Sequence, residues 1–511
     1  MKKDNVIPPC ADAPERGTNA AKSAYNHVMK STGLLGGIQA FYILMSVVRN
    51  KLTAMLIGEA GIGIADLYCR TIELLGNTTN FGVAFSAVRR LSALYEQGDR
   101  RETAYYVRLV RTWTFLLALF GTLVCIAFSP LLSRYIAGDH AHTLHFCLLA
   151  PAVGFTTLSG GEAAILKGMR RLRQLALITT AAALGTVIIT VPIYLFFGFD
   201  GIIPVIVGTT ALNFILNLRA SAPLFPYRIS PHRRHFLRQG GTMIRLGSAY
   251  IAAGIIGSAA ELFIRTFVVD ADPSYRHAGL YAAGLTLTVS YARLIFVAMD
   301  ADYFPRLSAR ISDRQRTNTT VNQQIDILVL LMAPFLILFA IGLPFIIPLL
   351  YTPSFLEVTP MVLCALPYMF FKAIYSPIAY LSLAAGRSRL YLTAELIYYV
   401  AFALLVTGGY RWMGLTGAGL GLSAANLIDL TLLPCLYGRL FGFRFAPATL
   451  RRCLIQALLL GMALACCGMP YSWAPWAAIP LLLVSIFFSW RFLQRETTLC
   501  TKITGFFRKK Q

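Results

Sequence analysis

Fourteen apolar stretches of about 20 residues each follow one another along the chain, and they constrain the fold more than any other feature. A run of that length is what an α-helix needs to cross the roughly 30 Å hydrocarbon core of a bilayer. The composition agrees, because 57% of the residues are hydrophobic and 14% are charged, and the mean hydropathy is +0.62. The sequence therefore predicts an all-α polytopic membrane protein of about fourteen spans, at residues 32–57, 62–87, 105–132, 143–166, 174–197, 201–221, 243–269, 278–302, 322–350, 357–385, 389–409, 415–437, 453–469 and 474–492.

The basic residues of the loops indicate the orientation. A net charge of +23 would suit nucleic-acid binding only if one soluble surface carried it. Instead, 35 of the 46 Lys and Arg residues lie in alternate loops, on one side of the membrane, and the intervening loops contain only Arg134, Arg276 and Arg411. Because basic loops stay in the cytoplasm, we expect both termini to be cytoplasmic and no nucleic acid among the partners.

Landmarks in the first part of the chain recur after about 216 residues. Arg49 in S-V-V-R-N-K corresponds to Arg265 in L-F-I-R-T-F (265 − 49 = 216). The R-L-S-A sequence that begins at Arg90 recurs at Arg306 (306 − 90 = 216). This interval contains six spans, an even number, so the two copies would cross the membrane in the same direction. The sequence predicts two parallel six-helix repeats with a cavity between them.

These features divide the chain into six parts. They are a polar N-terminal tail at 1–30, six-helix bundles at 31–221 and 240–437, a basic connector at 222–239, two additional transmembrane helices at 438–494, and a basic tail at 495–511. The first part has no apolar segment like that of a signal peptide. We expect both tails and the connector to lie in the cytoplasm.

Charged residues inside the predicted spans are the strongest functional signal, because inserting each one costs about 2.5–3.5 kcal/mol. The cations form a candidate set for substrate binding in the cavity: Arg49, Lys51, Arg70, Arg265, Arg293 and Lys372. The acids are candidates for ion coupling or for structural pairing: Asp66, Glu73, Glu261, Glu395 and Asp429. We expect more cations than acids in the cavity. Such an excess favours an anionic substrate, since one guanidinium group can donate two parallel hydrogen bonds to the oxygens of a phosphate.

Three of these cations also have an interpretation as lipid contacts. Arg49, Lys51 and Arg265 lie towards the outer ends of their spans, from which a long side chain reaches the headgroups. Against this, Arg49 and Arg265 occupy equivalent places in the two repeats. That equivalence would set them facing each other across the cavity.

Other charged residues have a structural interpretation as well. Arg70 follows Asp66 by four residues and precedes Glu73 by three, so all three side chains share one helical face. Arg70 could therefore form a structural ion pair with Asp66 or Glu73. At the inner end of the third span, Arg108 and Arg111 are placed for contact with lipid headgroups.

Two segments resemble a known family. They are L-I-G-E-A-G-I-G-I-A-D-L-Y at 56–68 and F-G-V-A-F-S-A-V-R-R-L-S-A-L-Y-E-Q-G-D-R-R at 81–101. Both are similar to the polysaccharide flippases (Wzx type) of the multidrug/oligosaccharidyl-lipid/polysaccharide (MOP) exporter superfamily. The resemblance implies a MATE-like pair of bundles in the bacterial inner membrane. It further implies that an undecaprenyl-diphosphate-linked oligosaccharide, such as an O-antigen unit, moves from the inner to the outer leaflet by alternating access.

The same resemblance implies site residues and partners. Arginines of the central cavity would hold the diphosphate, and by position Arg49, Arg70, Arg265 and Arg293 fit that role. The implied partners are the polyprenyl-diphosphate-linked oligosaccharide, membrane lipids and other membrane proteins of polysaccharide assembly. The two additional helices bring the span count closer to that of the fourteen-span lipid II flippases, in which the extra pair helps to form a groove for the polyprenyl tail.

Two further functions compete with this one. A cation-coupled multidrug antiporter of the same superfamily would use acids in a mostly apolar cavity, and the intramembrane cations argue against it. A membrane glycan polymerase or ligase needs a substantial outer loop, whereas every outer loop here is short. The sequence contains no Ser/His/Asp set, P-loop or metal motif, and most of the ten cysteines lie inside apolar runs. We therefore expect neither catalysis nor a cofactor nor a bound metal.

Overall fold

The computed structural model describes residues 15–137, 142–229, 236–290, 296, 303–304, 306–469 and 473–496, with side chains described from residue 41 in the first helix and from residue 252 in the seventh. Almost all of these residues are helical, and no strand occurs among them. The main helices are α1 Glu15–Thr79, α2 Val83–Glu96, α3 Arg100–Ala137, α4 Thr143–Gly168, α5 Leu172–Phe197, α6 Ile202–Ser221, α7 Phe236–Ala271, α8 Arg276–Leu285, α9 Arg314–Leu350, α10 Thr359–Ala384, α11 Ser388–Phe441, α12 Pro447–Cys467 and α13 Ile479–Glu496. Short helical turns occur at Gly198–Gly201, Thr286–Ser290, Pro353–Val358 and Ala474–Ala477.

Within the part of the chain that the structure describes, ten helical segments are long and apolar enough to cross a membrane. This confirms the prediction of an all-α polytopic membrane protein. Three segments, Phe41–Thr79, Arg173–Ser221 and Arg389–Phe441, contain 39, 49 and 53 residues, about twice the ~20 residues that one crossing needs. Each has an internal break and therefore the length of two crossings. The predicted span 278–302 extends beyond the described residues, so the total of fourteen stays a prediction.

Left-handed backbone conformations mark the breaks between spans, and they recur at the spacing of the sequence landmarks. Gly58 and Tyr275 have φ values of 61° and 60° and are 217 residues apart (275 − 58 = 217). Gly198 and Gly414 have φ values of 52° and 60° and are 216 residues apart (414 − 198 = 216). Glycine accepts this conformation because it has no Cβ. The spacing supports the predicted duplication, whose full extent stays a prediction.

The first half (α1–α6) and the second half (α7–α11) meet mainly along α1, which packs against α7 and α8. Near the break in α1, the backbones approach so closely that a Cβ on Gly279 would collide with the carbonyl oxygen of Glu59. Farther along α1, Asn77 Nδ2 donates a hydrogen bond to Ser258 Oγ at 2.8 Å. Close backbone packing and a polar side-chain contact therefore both join the halves.

Arg276, the first residue of α8, ties the same region together. Its Nε donates to Glu59 Oε2 at 2.5 Å, and its Nη2 lies 2.7 Å from Glu357 Oε2. The hydrogen bond to Glu357 and, to a smaller extent, the one to Glu59 raise the pKa of Arg276. The break in α1, the beginning of α8 and the turn Pro353–Val358 are thus held by one guanidinium group.

The hairpin of α12 and α13 packs against α9. At this joint, Asp326 of α9 pairs with Arg452, whose guanidinium carbon lies 3.4 Å from the centre of the Phe492 ring. Within the hairpin, the buried Gln456 accepts a hydrogen bond from Ser485 Oγ at 2.7 Å. Buried polar contacts therefore fasten the hairpin to the second half.

The prediction that Arg111 contacts lipid headgroups is wrong. Its side chain is fully buried and forms a two-point pair with Glu162, Nε to Oε1 at 2.8 Å and Nη2 to Oε2 at 2.9 Å. Its Nη1 donates to the carbonyl oxygens of Phe225 and Pro226 at 2.8 and 3.1 Å, and the ring centre of Tyr227 lies 5.0 Å away. Arg111 therefore anchors the beginning of the connector to the first half. Its partners are distant in sequence, so the local pattern gave no sign of them.

Candidate functional site

Charged side chains of α1 and α7 form a cluster where the two halves meet. Arg265 Nε donates to Asp66 Oδ2 at 2.5 Å, and Arg70 Nη1 lies 3.2 Å from Glu261 Oε2. Each arginine therefore binds an acid of the opposite half. Within one half, Arg70 also pairs with Glu73 at 2.9 Å and with Asp66 at 3.4 Å, and Arg265 with Glu261 at 3.4 Å. We call these five residues the central ion cluster.

Helical spacing explains how the cluster is assembled. Asp66, Arg70 and Glu73 share one face of α1, and Glu261 and Arg265 share one face of α7, so each helix presents both signs of charge to the other. The side chain of Arg265 is 2% exposed, whereas those of Arg70 and Glu73 are 33% and 49% exposed. One end of the cluster is therefore buried, and the other is open to a solute.

A cavity of about 440 Å³ extends from this cluster into the second half. Its charged lining residues are three cations and three acids: Arg70, Arg265, Lys372, Glu261, Glu395 and Asp429. Seven tyrosines also line it: Tyr368, Tyr375, Tyr380, Tyr391, Tyr398, Tyr399 and Tyr437. The expected excess of cations over acids is thus absent from the described lining of this cavity, which combines balanced charge with many phenol groups.

The far end of the cavity holds a second charged group. Lys372 Nζ lies 5.8 and 5.7 Å from the ring centres of Phe296 and Tyr368, within the range of cation–π attraction. Glu395 and Asp429 are close enough for their charges to act on Lys372. Among the described residues, Asp429 Oδ1 is buried and has no hydrogen-bond partner. A buried acceptor without a partner is costly, so this end of the cavity suits a donor or a cation.

The other predicted cations lie outside this cavity. Arg49 lines a separate cavity of about 400 Å³ within the first half, with Lys167 and Asn217 in the same wall. Its Nη2 donates to Asn50 Oδ1 at 3.2 Å. Arg49 and Arg265 therefore line two different cavities instead of facing each other across one. Arg293 lies outside the described residues.

Lys51 contacts the second half through backbone carbonyl groups. Its Nζ donates to the carbonyl oxygen of Pro348 at 2.5 Å and to that of Tyr351. Both carbonyls lie at the C-terminal end of α9, where the last carbonyl groups have no partner within the helix and carry partial negative charge. Lys51 therefore caps α9, an arrangement that differs from both lipid contact and exposure to a cavity.

The sequence matches the family described as "Polysaccharide biosynthesis protein" over residues 72–360, which is more than half of the chain. The chain belongs to this family. No curated protein sequence matches it significantly.

Solved structures of transporters share the fold of this polysaccharide biosynthesis protein. The lipid II flippase MurJ in an inward closed conformation is similar with a TM-score of 0.67 and 15% identity, covering 91% of this chain and 99% of that one. An inward-facing MATE family multidrug resistance transporter of the MOP superfamily has a TM-score of 0.64 and 13% identity, covering 79% and 94%. A MOP superfamily transporter from Pyrococcus furiosus, described as having a binding pocket of reverse polarity, has a TM-score of 0.54 and 14% identity, covering 80% and 92%.

These findings confirm the predicted fold, which MOP superfamily transporters share, and the predicted link to polysaccharide biosynthesis. This protein is a multi-pass membrane protein of a polysaccharide biosynthesis family. At such low identity, the structural likeness establishes the fold alone.

Sequence reasoning missed two parts of the site in this polysaccharide biosynthesis protein. It did not foresee that Arg70 and Arg265 bind acids of the opposite half, because pairing between distant spans has no local signature. It also did not single out Tyr368, Tyr398 and Tyr399, which line the cavity. The helical spacing of the charges was a usable signal, but the tyrosines resemble those of any aromatic belt.

Proposed function

We propose that this protein moves a polyprenyl-diphosphate-linked oligosaccharide from the inner to the outer leaflet of the bacterial cytoplasmic membrane by alternating access. The observation that carries this proposal is the cross-half pairing of Arg265 with Asp66 and of Arg70 with Glu261. It sets two guanidinium groups at the edge of a cavity and at the boundary along which the halves must separate. Membership in a polysaccharide biosynthesis family supports a glycan-bearing lipid as the cargo.

In this proposal, the diphosphate exchanges with the carboxylates. While no substrate is bound, Asp66 and Glu261 pair with the guanidinium groups of Arg265 and Arg70. Phosphate oxygens match a guanidinium group at least as well as a carboxylate does, and a diphosphate brings more negative charge than one carboxylate. Binding of the diphosphate would therefore release Asp66 and Glu261 from their partners. Because those pairs connect the two halves, their release would favour movement of one half against the other.

The tyrosine-lined part of the cavity would receive the sugars nearest the diphosphate. Phenol rings stack on sugar rings, and phenol hydroxyls both donate and accept hydrogen bonds. Lys372 would add a positive charge at the far end, and Arg49 would receive the headgroup in the cavity of the first half. Glu395 and Asp429 are the candidates for coupling transport to an ion. Lys51, which caps α9, is a structural residue in this scheme.

A translocation assay tests the proposal. Proteoliposomes would carry a fluorescent polyprenyl-diphosphate-oligosaccharide, and the fraction reached by an external glycosidase would be followed with time. We expect Arg49→Ala and Arg265→Ala to abolish transport and the corresponding Lys variants to keep part of it. Arg108→Ala is the matched control, because Arg108 is exposed and lines neither cavity. Full activity of a variant with both Arg49 and Arg265 replaced would rule out the diphosphate contact.

Two other substrate classes remain as alternatives. The balanced charge of the cavity makes a cationic drug a sharper competitor than the sequence suggested, and the similarity to a MATE family transporter points the same way. If efflux of a cationic dye survives Arg265→Ala but is lost in Asp429→Asn, the antiporter is favoured. Lipid II, for which the structurally similar flippase MurJ is named, is tested as an alternative cargo in the same proteoliposomes.

The orientation is tested separately. Because the loop charges predict cytoplasmic termini, a reporter fused after Gly98 is expected to be cytoplasmic and one fused after Gly198 external. The reverse result at both positions would invert the proposed direction of transport.

A further inference from the structure

Three side-chain atoms of the first half lie at almost equal distances from one another. Tyr68 Oη is 3.1 Å from His142 Nδ1 and 3.1 Å from His145 Nδ1, and the two Nδ1 atoms are 3.0 Å apart. Tyr68 is on α1, and both histidines are at the beginning of α4. Tyr68 is 4% exposed, and both histidines are partly buried.

Hydrogen bonds alone do not account for all three contacts. An imidazole Nδ1 carries either a proton or a single lone pair, and the phenol carries one proton. If His142 donates to His145, both ring nitrogens are fully used, and the phenol proton has no acceptor within the triangle. If Tyr68 donates to one histidine and accepts from the other, the two nitrogens no longer bond to each other. At most two sides of the triangle are therefore hydrogen bonds.

An ion that accepts three lone pairs removes this conflict. With metal–ligand bonds of about 2.0–2.1 Å, three donor atoms at these separations place an ion roughly 1 Å above their plane. Imidazole suits zinc, copper and nickel ions. Asp200, close enough for its negative charge to act on His145, favours a cation there. Three His, Cys, Asp or Glu side chains do not gather anywhere in the described part of the chain, so the site depends on the phenol as third donor.

We propose that Tyr68, His142 and His145 bind one divalent first-row transition metal ion of the zinc type. The side of the ion away from the triangle is then available to water. The sequence analysis predicted no metal, because no motif in the chain connects Tyr68 with these two histidines. Tyr68 lies 74 residues before His142, and only the packing of α1 against α4 brings it there.

The site borders the contact between the halves. The ring centre of His142 lies 6.5 Å from that of Tyr275, which is in the break between α7 and α8 of the second half. A bound ion would fix His142 in the position that Tyr275 packs against. Metal is therefore expected to stabilise the conformation described here and to slow exchange with others, whichever molecule the protein transports.

Zinc binding by the full-length protein in detergent tests this inference. We expect the wild-type protein to bind one more equivalent of Zn²⁺ than the variant with His142→Ala and His145→Ala. Tyr68→Phe should weaken binding by at least about tenfold, since removing even a residue that only orients a ligand typically costs that much. His277→Ala is the control, because His277 Nδ1 lies 2.7 Å from Tyr410 Oη in the second half. Its zinc stoichiometry should equal that of the wild type.

A second measurement does not depend on the variants folding. X-ray absorption at the zinc edge of the wild-type protein, loaded with one equivalent, should show scattering from two imidazole rings. Equal zinc stoichiometry in the wild type and a folded double-histidine variant would overturn the assignment. So would a wild-type spectrum without imidazole scattering. The expected thermal shift on adding Zn²⁺ is positive for the wild type and absent for the double variant.

Discussion

Two guanidinium–carboxylate clusters in this protein differ in what they connect. Arg111 and Glu162 both belong to the first half, their side chains are 0% and 3% exposed, and they pair with each other at two points. Arg265 is almost as buried, yet its partner Asp66 belongs to the other half and is 20% exposed. One pair joins parts of a single half, and the other joins the two halves at the edge of a cavity.

The difference indicates which charges are free to exchange partners. Removing Arg111 leaves Glu162 buried, with a hydrogen bond from Ser221 Oγ but with no cation beside it among the described residues. In the central ion cluster, Asp66 still has Arg70 at 3.4 Å when Arg265 is lost. A network with alternative partners changes its pairing at low cost, which is what a substrate-responsive site requires. A buried arginine with a single carboxylate partner supports the fold instead.

The largest effect is therefore expected at Arg111. Arg111→Met should lower the free energy of unfolding by about 3–5 kcal/mol, since the carboxylate of Glu162 is left buried without a cation. The measurement is chemical or thermal unfolding in detergent micelles. Arg108→Met, one turn earlier on the exposed face, should change stability by less than about 0.5 kcal/mol. If Arg111→Met lowers the free energy of unfolding no more than Arg108→Met does, the distinction between the two clusters is wrong.

Coupling across the halves should be smaller. A double-mutant cycle of Asp66→Asn and Arg265→Gln is expected to give an interaction energy of about 1–3 kcal/mol in unfolding experiments. Addition of a polyprenyl diphosphate without sugars should reduce it, because phosphate replaces the carboxylate. The exposed pair of Glu96 and Arg170, with side chains 57% and 63% exposed, is the matched control at under about 1 kcal/mol. Coupling that does not change with the lipid would contradict the exchange scheme.

Backbone packing between the halves gives a third test. Gly279→Ala should cost about 1–3 kcal/mol through overpacking, because its Cβ would meet the carbonyl oxygen of Glu59. The halves would be pushed apart, so a cysteine at Tyr275 should react faster with a water-soluble maleimide. Gly254→Ala is the control, since no atom lies within 4 Å of the Cβ position there. Equal maleimide rates in the two variants would show that this contact does not keep the halves together.

The smallest effect is expected at Lys51. Lys51→Met should cost about 1–2 kcal/mol, because two carbonyl groups at the end of α9 lose a charged donor. Transport should be retained if the residue only caps the helix, whereas a complete loss of transport without a loss of stability would return Lys51 to the substrate site. Unfolding and translocation measured on the same preparation separate the two roles.

Sequence patterns predicted the helical membrane fold and the main breaks in it, because hydrophobic length and turn residues are local properties. They also placed Asp66, Arg70 and Glu73 on one helical face. They did not reveal which helix that face meets, so the pairing with Arg265 and Glu261 was missed. The lipid contact expected for Arg111 failed for the same reason, since Glu162 and the connector carbonyls come from far along the chain.

The pair of Asp326 and Arg452 fixes α12 to α9. Because the terminal hairpin is fastened to the second half by buried polar contacts, the two should move as one rigid body. Any lipid-facing groove between the hairpin and α9 would keep its shape through the whole transport cycle. A polyprenyl chain resting there would stay in place relative to one half while its charged headgroup crosses the bilayer.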